Sequence, residues 1–273
     1  MYQSLPASYK GKYPFKIGTT SFIYPDHMAP NVKMLAPFLD EIELLFFESS
    51  FDSIPSESEI IELHKLSEEY GITYNVHLPT DIFPGSGNSS ETLRFIETVQ
   101  YIISLTSILS PSTYTLHLAY REGITKNVCC NAWLNSARRS IERLLATGIK
   151  SEAISIETLD YPFEWIDSII SDFNLSVCVD TGHLMLNGFD IESVFTKYLK
   201  RTSIIHLHGI QNSNDHLSLD KLSCEEIGTL FKFIQGFAGT ISIEVFSFDN
   251  LSASLQHFGN CYNQYFSRIL IKG

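Results

Sequence analysis

The sequence predicts a single (β/α)8 TIM barrel, and three observations carry that reading. Short apolar runs alternate with helix-periodic segments from one end of the chain to the other. The runs are nearly continuous rather than alternating, as parallel strands covered on both faces are. The chain has 273 residues, 44% hydrophobic and 18% charged, which suits the roughly 250 residues and large core of one such barrel.

Residues 1–14 are polar and aromatic and read as an N-terminal extension or strap; residues 15–273 read as one catalytic barrel domain. The first strand is Phe15–Phe22. Its crossover, Pro25–Leu39, contains Pro30 and Pro37 and so leaves room for a short helix only. Glu41–Phe47 is the second strand. Ser56–Tyr70 then repeats apolar residues at Ile60, Ile61, Leu63 and Leu66 and stops at Gly71, a helix-terminating signal. Ile72–Leu78 is the third strand, and the flexible-looking loop Phe83–Ser90 (FPGSGNSS) after it belongs on the active face. Ser89 or Ser90 is expected to cap the helix Ser89–Leu109. Strand Thr113–Leu118 leads to helix Cys130–Ala146, and strand Ala153–Thr158 to helix Tyr161–Asp172. Strands Leu175–Asp180, Ser203–His208 and Thr240–Phe246 are followed by helices Ile191–Lys200, Asp220–Gly236 and Asn250–Arg268.

The net charge of −12 opposes polyanions and argues against nucleic acid, because no Lys/Arg cluster offsets it. No uninterrupted apolar stretch is long enough to span a membrane, and Met1–Pro14 lacks the apolar core of a secretory signal. The five cysteines, Cys129, Cys130, Cys178, Cys224 and Cys261, are odd in number and form no CxxC pair. They indicate neither a disulfide framework nor a thiolate zinc site, and they place the chain in the reduced cytoplasm. Cys178, inside an apolar strand, is expected to be a buried free thiol.

Histidine placement is the most informative feature. His77, His117, His183, His206 and His208 all fall at or just after predicted strand ends, although the chain has only nine histidines. Strand ends cover roughly a tenth of such a chain, so chance would put about one there. Carboxylates hold the matching places elsewhere: Glu157, Asp180 and Glu244. All strand C-termini of a barrel open on one face, which makes this a candidate metal centre of His77, His117, Glu157, Asp180, His183, His206, His216 and Glu244. Imidazole and carboxylate together suit zinc, manganese, iron or cobalt rather than magnesium. Eight ligands exceed one tetrahedral ion and imply two or three, with a carboxylate such as Glu157 bridging. The strand ends offer no Lys or Arg to neutralise these acids. Taken singly, each histidine could instead be a hydrogen-bonding group, and Glu157 and Glu244 could each be half of a buried ion pair. Glu157, Glu244 and His183 are the candidate catalytic groups. His208 is expected to face away from His206, as a supporting or substrate-contacting residue. Ser21, Tyr24 and Asn31 are candidate substrate contacts, with turn chemistry around Pro25 as their other reading. His27 reads as a solvated loop residue, and His64 and His257 as structural or exposed residues on outer helices.

The order His, His, Glu, Asp-x-x-His, His, loop His and last-strand Glu resembles the xylose isomerase-like barrel superfamily, and most closely the endonuclease IV pattern within it. That resemblance implies one metal on His77, His117 and Glu157, a second on Glu157, Asp180, His206 and Glu244, and a third on His183 and His216. The chain departs from the pattern at Asn214 and Gly209, where aspartates are usual, and carries Asp215 alongside. A narrower resemblance rests on IGTTSFIYPDHMAPNVKMLAPFLDEIELLFFES, YNVHLP, SIETLDYPFEWID, SVCVDTGHLMLNG and IIHLHGIQNSNDHLSL, and it covers nearly the whole chain. These strings are similar to the cobamide-remodelling phosphodiesterases. The resemblance implies hydrolysis of the nucleotide-loop phosphodiester of adenosylcobamides to cobinamide phosphate and a lower-ligand riboside. That reaction lets a cell salvage a corrinoid. Three rival functions fit the same residues. A sugar isomerase or epimerase would use one metal on Glu157, Asp180, His206 and Glu244, with the two glutamates as acid and base and His77 and His117 on substrate. The others are an endonuclease IV-like nuclease and a non-catalytic corrinoid or metal carrier.

Overall fold

Each of the eight apolar runs yields one strand. They are β1 (Lys16–Thr20), β2 (Glu41–Leu45), β3 (Thr73–His77), β4 (Tyr114–Leu116), β5 (Ile154–Glu157), β6 (Ser176–Asp180), β7 (Thr202–Leu207) and, after a hairpin, β10 (Thr240–Ile243). In this computed structural model, which describes residues 2–120 and 128–272, they close into one parallel barrel. The order around it is β1, β10, β7, β6, β5, β4, β3, β2, so the sequential order is kept and the two ends meet. β2, β5 and β10 are buried along their whole length, as strands between a filled interior and a helical ring must be.

The ring contains α1 (Met28–Leu35), α2 (Glu57–Tyr70), α3 (Ser89–Thr106), α4 (Val128–Leu145), α5 (Asp167–Asp172), α6 (Thr181–Leu186), α7 (Ile191–Tyr198), α8 (Cys224–Phe233) and α9 (Phe248–Lys272). The two prolines hold α1 to eight residues. α2 starts at the Ser56 side chain, which accepts from Glu59 N–H, and ends at Gly71, whose φ of 61° is the left-handed geometry that glycine adopts freely. α3 is capped by Asn88 rather than Ser89 or Ser90: its side chain accepts from the amides of Ser90 and Glu91. The loop before it follows β3, as expected for the active face, and is tied down by Ser140, which donates to Pro84 O at 2.7 Å. Two pieces have no forerunner in the sequence reading, α6 and a hairpin of β8 (Gly209–Gln211) and β9 (Asn214–Leu217). Both are too short for periodicity to register.

The barrel interior is polar in layers. Alternate residues of a strand share a face, so Glu41 and Glu43 both point inward. At the N-terminal end of the barrel, Glu41 accepts hydrogen bonds from Lys16, Thr73, Asn75, Ser112 and Thr240. One layer up, Glu43 takes Ser242 and His206. Residues 2–14 form a strap tied to the segments that flank α1: Tyr24 hydroxyl donates to Gln3 O at 2.7 Å, Tyr9 N–H to Phe38 O at 2.8 Å, and Gly11 N–H to the Asp40 carboxylate at 2.8 Å.

The cysteines depart from expectation. Cys224 and Cys261, 37 residues apart, form a disulfide that joins α8 to α9. The packing of two helices creates the pair, and spacing rules built on short motifs are blind to it. Cys178 is free and buried; the side chains of Cys129 and Cys130 lie outside the described residues.

Candidate metal centre

Glu157 ends β5 and is the hub. Its Oε2 lies 3.2 Å from Nε2 of His77 at the end of β3 and 3.0 Å from Nε2 of His117, just past β4. Its Oε1 lies 3.3 Å from Nδ1 of His183. Next in line, Asp180 ends β6, and its main-chain register places it beside His206 of β7. The chain turns straight into α6 there, because the Asp180 side chain caps the helix by accepting from His183 N–H at 2.7 Å. That single turn brings His183 back beside Asp180, with Nδ1 also 3.2 Å from Thr158 O. Glu244 follows β10, and its Oε2 is 3.2 Å from Nδ1 of His206.

Tautomers decide what these contacts mean. His206 donates from Nε2 to Glu43 at 2.9 Å. In the neutral ring its Nδ1 is then bare, and it faces Glu244, Glu157 and Asp180 at 3.2, 3.7 and 3.9 Å. Neither this Nδ1 nor Glu244 Oε2 has a hydrogen-bond partner, although both are buried. His77 repeats the pattern: Nδ1 donates to Leu78 O at 2.9 Å and Nε2 points at Glu157. With neutral rings lone pair faces lone pair in both places, so a proton or a metal ion must lie between. Among the described residues no lysine or arginine pairs with Glu157, Asp180 or Glu244, so the residues fit a divalent metal. Three ligand groups converge: His77, His117 and Glu157; Glu157, Asp180, His206 and Glu244; and His183, His208 and His216. Glu157 also closes a group with Cys178 and His206, but burial pushes the Cys178 thiol well above its ordinary pKa.

The electrostatics follow from the same geometry. Burial raises the Glu157 carboxyl, but His117, His206 and His183 overcome this and hold it well below the usual range. Glu244 is lowered in the same way, against burial, chiefly by His206. Burial lowers His77, yet Glu157, Glu43 and Glu244 leave it raised. Despite burial, Asp180 and Glu157 push His183 up to about 10.

A family model described as the xylose isomerase-like TIM barrel matches residues 39–260. The chain belongs to this family. No curated protein matches it in sequence. Among solved structures, a D-tagatose 3-epimerase-like protein superposes with a TM-score of 0.77 at 19% identity, over 93% of this chain and 100% of that one. The IOLI protein with a binding zinc atom gives 0.69 at 15% identity, over 93% and 99%. Endonuclease IV from Thermus thermophilus gives 0.66 at 15%, over 91% and 99%. At these identities the likeness extends to the fold.

The structure brings all eight candidate ligands of this family member to the barrel mouth, and it changes the account of four other residues. His208 does not face away from His206: residues two apart along a strand share a side. It is fully buried. Its Nδ1 accepts from His216 N–H at 3.0 Å and its Nε2 lies 3.2 Å from Asp180, so it positions a ligand on each side. His216 itself sits at φ 50° on β9, with Nδ1 3.3 Å from Glu244 O. Thus His208 supports the third group from behind, holding Asp180 and His216 in place beside Asn214 and Gly209. Ser21, Tyr24 and Asn31 are buried and committed to the fold. Ser21 accepts from Leu45 N–H, and Asn31 accepts from Ile23 and Tyr24 amides while donating to Tyr24, Asp26 and His27 carbonyls. Asn31 thus builds the turn after β1, while Ser21 ties that turn to β2 and Tyr24 ties it to residues 2–14. His27 is exposed; His64 pairs weakly with Glu68 on α2, and His257 donates to Leu222 O from α9. The sequence reading missed Glu43. Its signal was available: Glu41 and Glu43 alternate as acids along an otherwise apolar strand.

Proposed function

We propose that this protein is a metal-dependent phosphodiesterase that hydrolyses the nucleotide-loop phosphodiester of adenosylcobamides, releasing cobinamide phosphate and a lower-ligand riboside. The observation that carries the reading is the shared carboxylate. Glu157 contacts His77 and His117 through one oxygen and His183 through the other, so three ligand groups stand side by side at one mouth. An isomerase needs one ion; a displacement at phosphorus gains from several. Ions bound there would activate a water and offset charge on the attacking and leaving oxygens. The chain's own residues hold that arrangement. Glu43 and the Leu78 carbonyl fix the tautomers of His206 and His77, and Asp180 anchors His183 on α6. Zinc, manganese, iron and cobalt are the candidate ions. The cobamide substrate rests on the motif strings, and the net charge of −12 favours a small diester over DNA.

The four-residue group of Glu157, Asp180, His206 and Glu244 is a complete set for one ion, which supports a second reading as a sugar epimerase. One experiment separates them. Adenosylcobalamin and other adenosylcobamides are incubated with protein loaded with manganese, iron or zinc, with a chelated control, and chromatographed. Cobinamide phosphate and riboside that vanish on chelation are expected. Intact cobamides with every metal, together with ketose turnover at one metal per chain, would establish the epimerase. Cleavage of abasic duplex DNA at low salt would establish a nuclease.

A further inference from the structure

Three phenylalanines stand on the mouth of the barrel with large exposed surfaces: Phe22 at 39%, Phe47 at 42% and Phe246 at 41%. They come from the ends of three different strands and touch one another. Phe22 and Phe47 meet edge to face at 4.8 Å, Phe47 and Phe246 lie 6.1 Å apart, and Phe246 lies 5.1 Å from the ring of His216. The wall therefore runs unbroken from the third ligand group outward. Phe22 and Phe47 then line a groove of about 670 Å³ between the β1 and β2 loops. A groove of that size, apolar on one wall and beside a polar reacting centre, has the form of a ligand site.

The rest of its lining says what kind of ligand. Asp26, Glu48, Asp52 and Glu59 border it, and no lysine or arginine does. A phosphate or carboxylate is repelled there, whereas an uncharged or cationic ring is not. Aromatic faces and edges attract other rings in stacked or T-shaped contact. We infer that this groove holds a planar, uncharged or cationic nitrogen heterocycle, the base of the riboside leaving group, while the phosphodiester lies over the metal ligands. Only the identity of the molecule carrying that ring rests on the phosphodiesterase reading.

The test is calorimetric titration of the metal-loaded protein with adenosine, with benzimidazole riboside, and with ribose as the ring-free control. Both ribosides are expected to bind and ribose is not. Phe47→Ala should weaken riboside binding by about tenfold or more, as loss of a stacking platform does, with bound metal unchanged. Phe47→Leu should fall between. Phe22→Ala repeats the test should the Phe47 variants fold poorly. Equal riboside binding by wild type and Phe47→Ala overturns the inference, and so does binding of cobinamide, rather than riboside, that depends on Phe47. Phe47-dependent riboside binding by a protein that hydrolyses no cobamide supports the groove and counts against the phosphodiesterase. Hydrolysis that proceeds while riboside binding ignores Phe47 does the reverse.

Discussion

At the scale of single residues, Glu157 is the position on which everything converges. Glu157→Gln keeps shape and volume but removes the charge that joins the groups, so turnover should fall by well over about 10²-fold and metal content should drop. The melting temperature of the chelated protein should fall, since His77, His117 and His183 lose the carboxylate they face; wild-type rates at matched metal loading would sink the proposed centre. Glu43 touches no substrate; it orients His206 from below. Glu43→Gln can still accept from Nε2–H, whereas Glu43→Ala cannot, so alanine should weaken metal binding by roughly 10–100-fold and glutamine less. Equal effects from both would deny the orienting role. The imidazoles also make the metal-free fold sensitive to pH. Burial lowers His183, but Asp180 and Glu157 raise it from 6.5 to about 10. A group whose folded pKa lies above its unfolded value stabilises fully below the unfolded value and stops doing so as pH passes the folded one. His77, His206 and His208 are raised as well, against burial, by neighbouring carboxylates. The chelated protein should therefore lose stability as pH climbs from 6.5 towards 10, while the stabilisation given by added metal grows, because ions replace those protons. Thermal melts across that window would show a flat or rising chelated curve if this is wrong.

At the scale of elements, the turn from β6 into α6 does the most for the site. The string Asp180-Thr181-Gly182-His183 is strand end, helix cap and ligand pair in four residues. Gly182 is required there by a close approach: a Cβ would lie 2.0 Å from His208 Cε1. Gly182→Ala should push His208 off Asp180 and His216 and empty the third ligand group, leaving the two groups on Glu157 filled. Metal analysis would read this as the loss of about one ion per chain in a folded protein, and undiminished stoichiometry would contradict it. Asp180-x-x-His183 was legible in the sequence because one helical turn returns residue i+3 to residue i. The hairpin carrying His216 was not. Its strands are three and four residues long, and the left-handed backbone at His216 falls where the β8–β9 register shifts, which no local propensity marks.

At the scale of the molecule, closure of the barrel brings its first and last elements together, and the disulfide and the strap both act there. Cys224–Cys261 spans 37 residues, and a loop of that length restricts the unfolded chain by about 3–4 kcal/mol. Reduction should lower the melting temperature by several degrees, and peptide mapping without reductant should label Cys178 but neither Cys224 nor Cys261. A melt indifferent to reductant would refute the staple. No helix among the described residues is long and apolar enough to cross a membrane.

By itself the sequence determined the eight strands, their parallel sense and the face on which eight ligands would gather. Continuous apolar runs, helix caps and strand-end histidines are local signals, and in a barrel the strand end alone fixes the face. The tertiary structure decided which ligands meet. Glu157 serves three histidines from separate strand–helix units, and the tautomer of His206 depends on Glu43, 163 positions away in the chain. It also turned Ser21, Tyr24 and Asn31 inward, drew His208 into the ligand cluster, joined Cys224 to Cys261, and lined up three phenylalanines beside the centre. All of these depend on distances between residues remote in sequence, which are set by barrel closure and helix packing rather than by any local pattern.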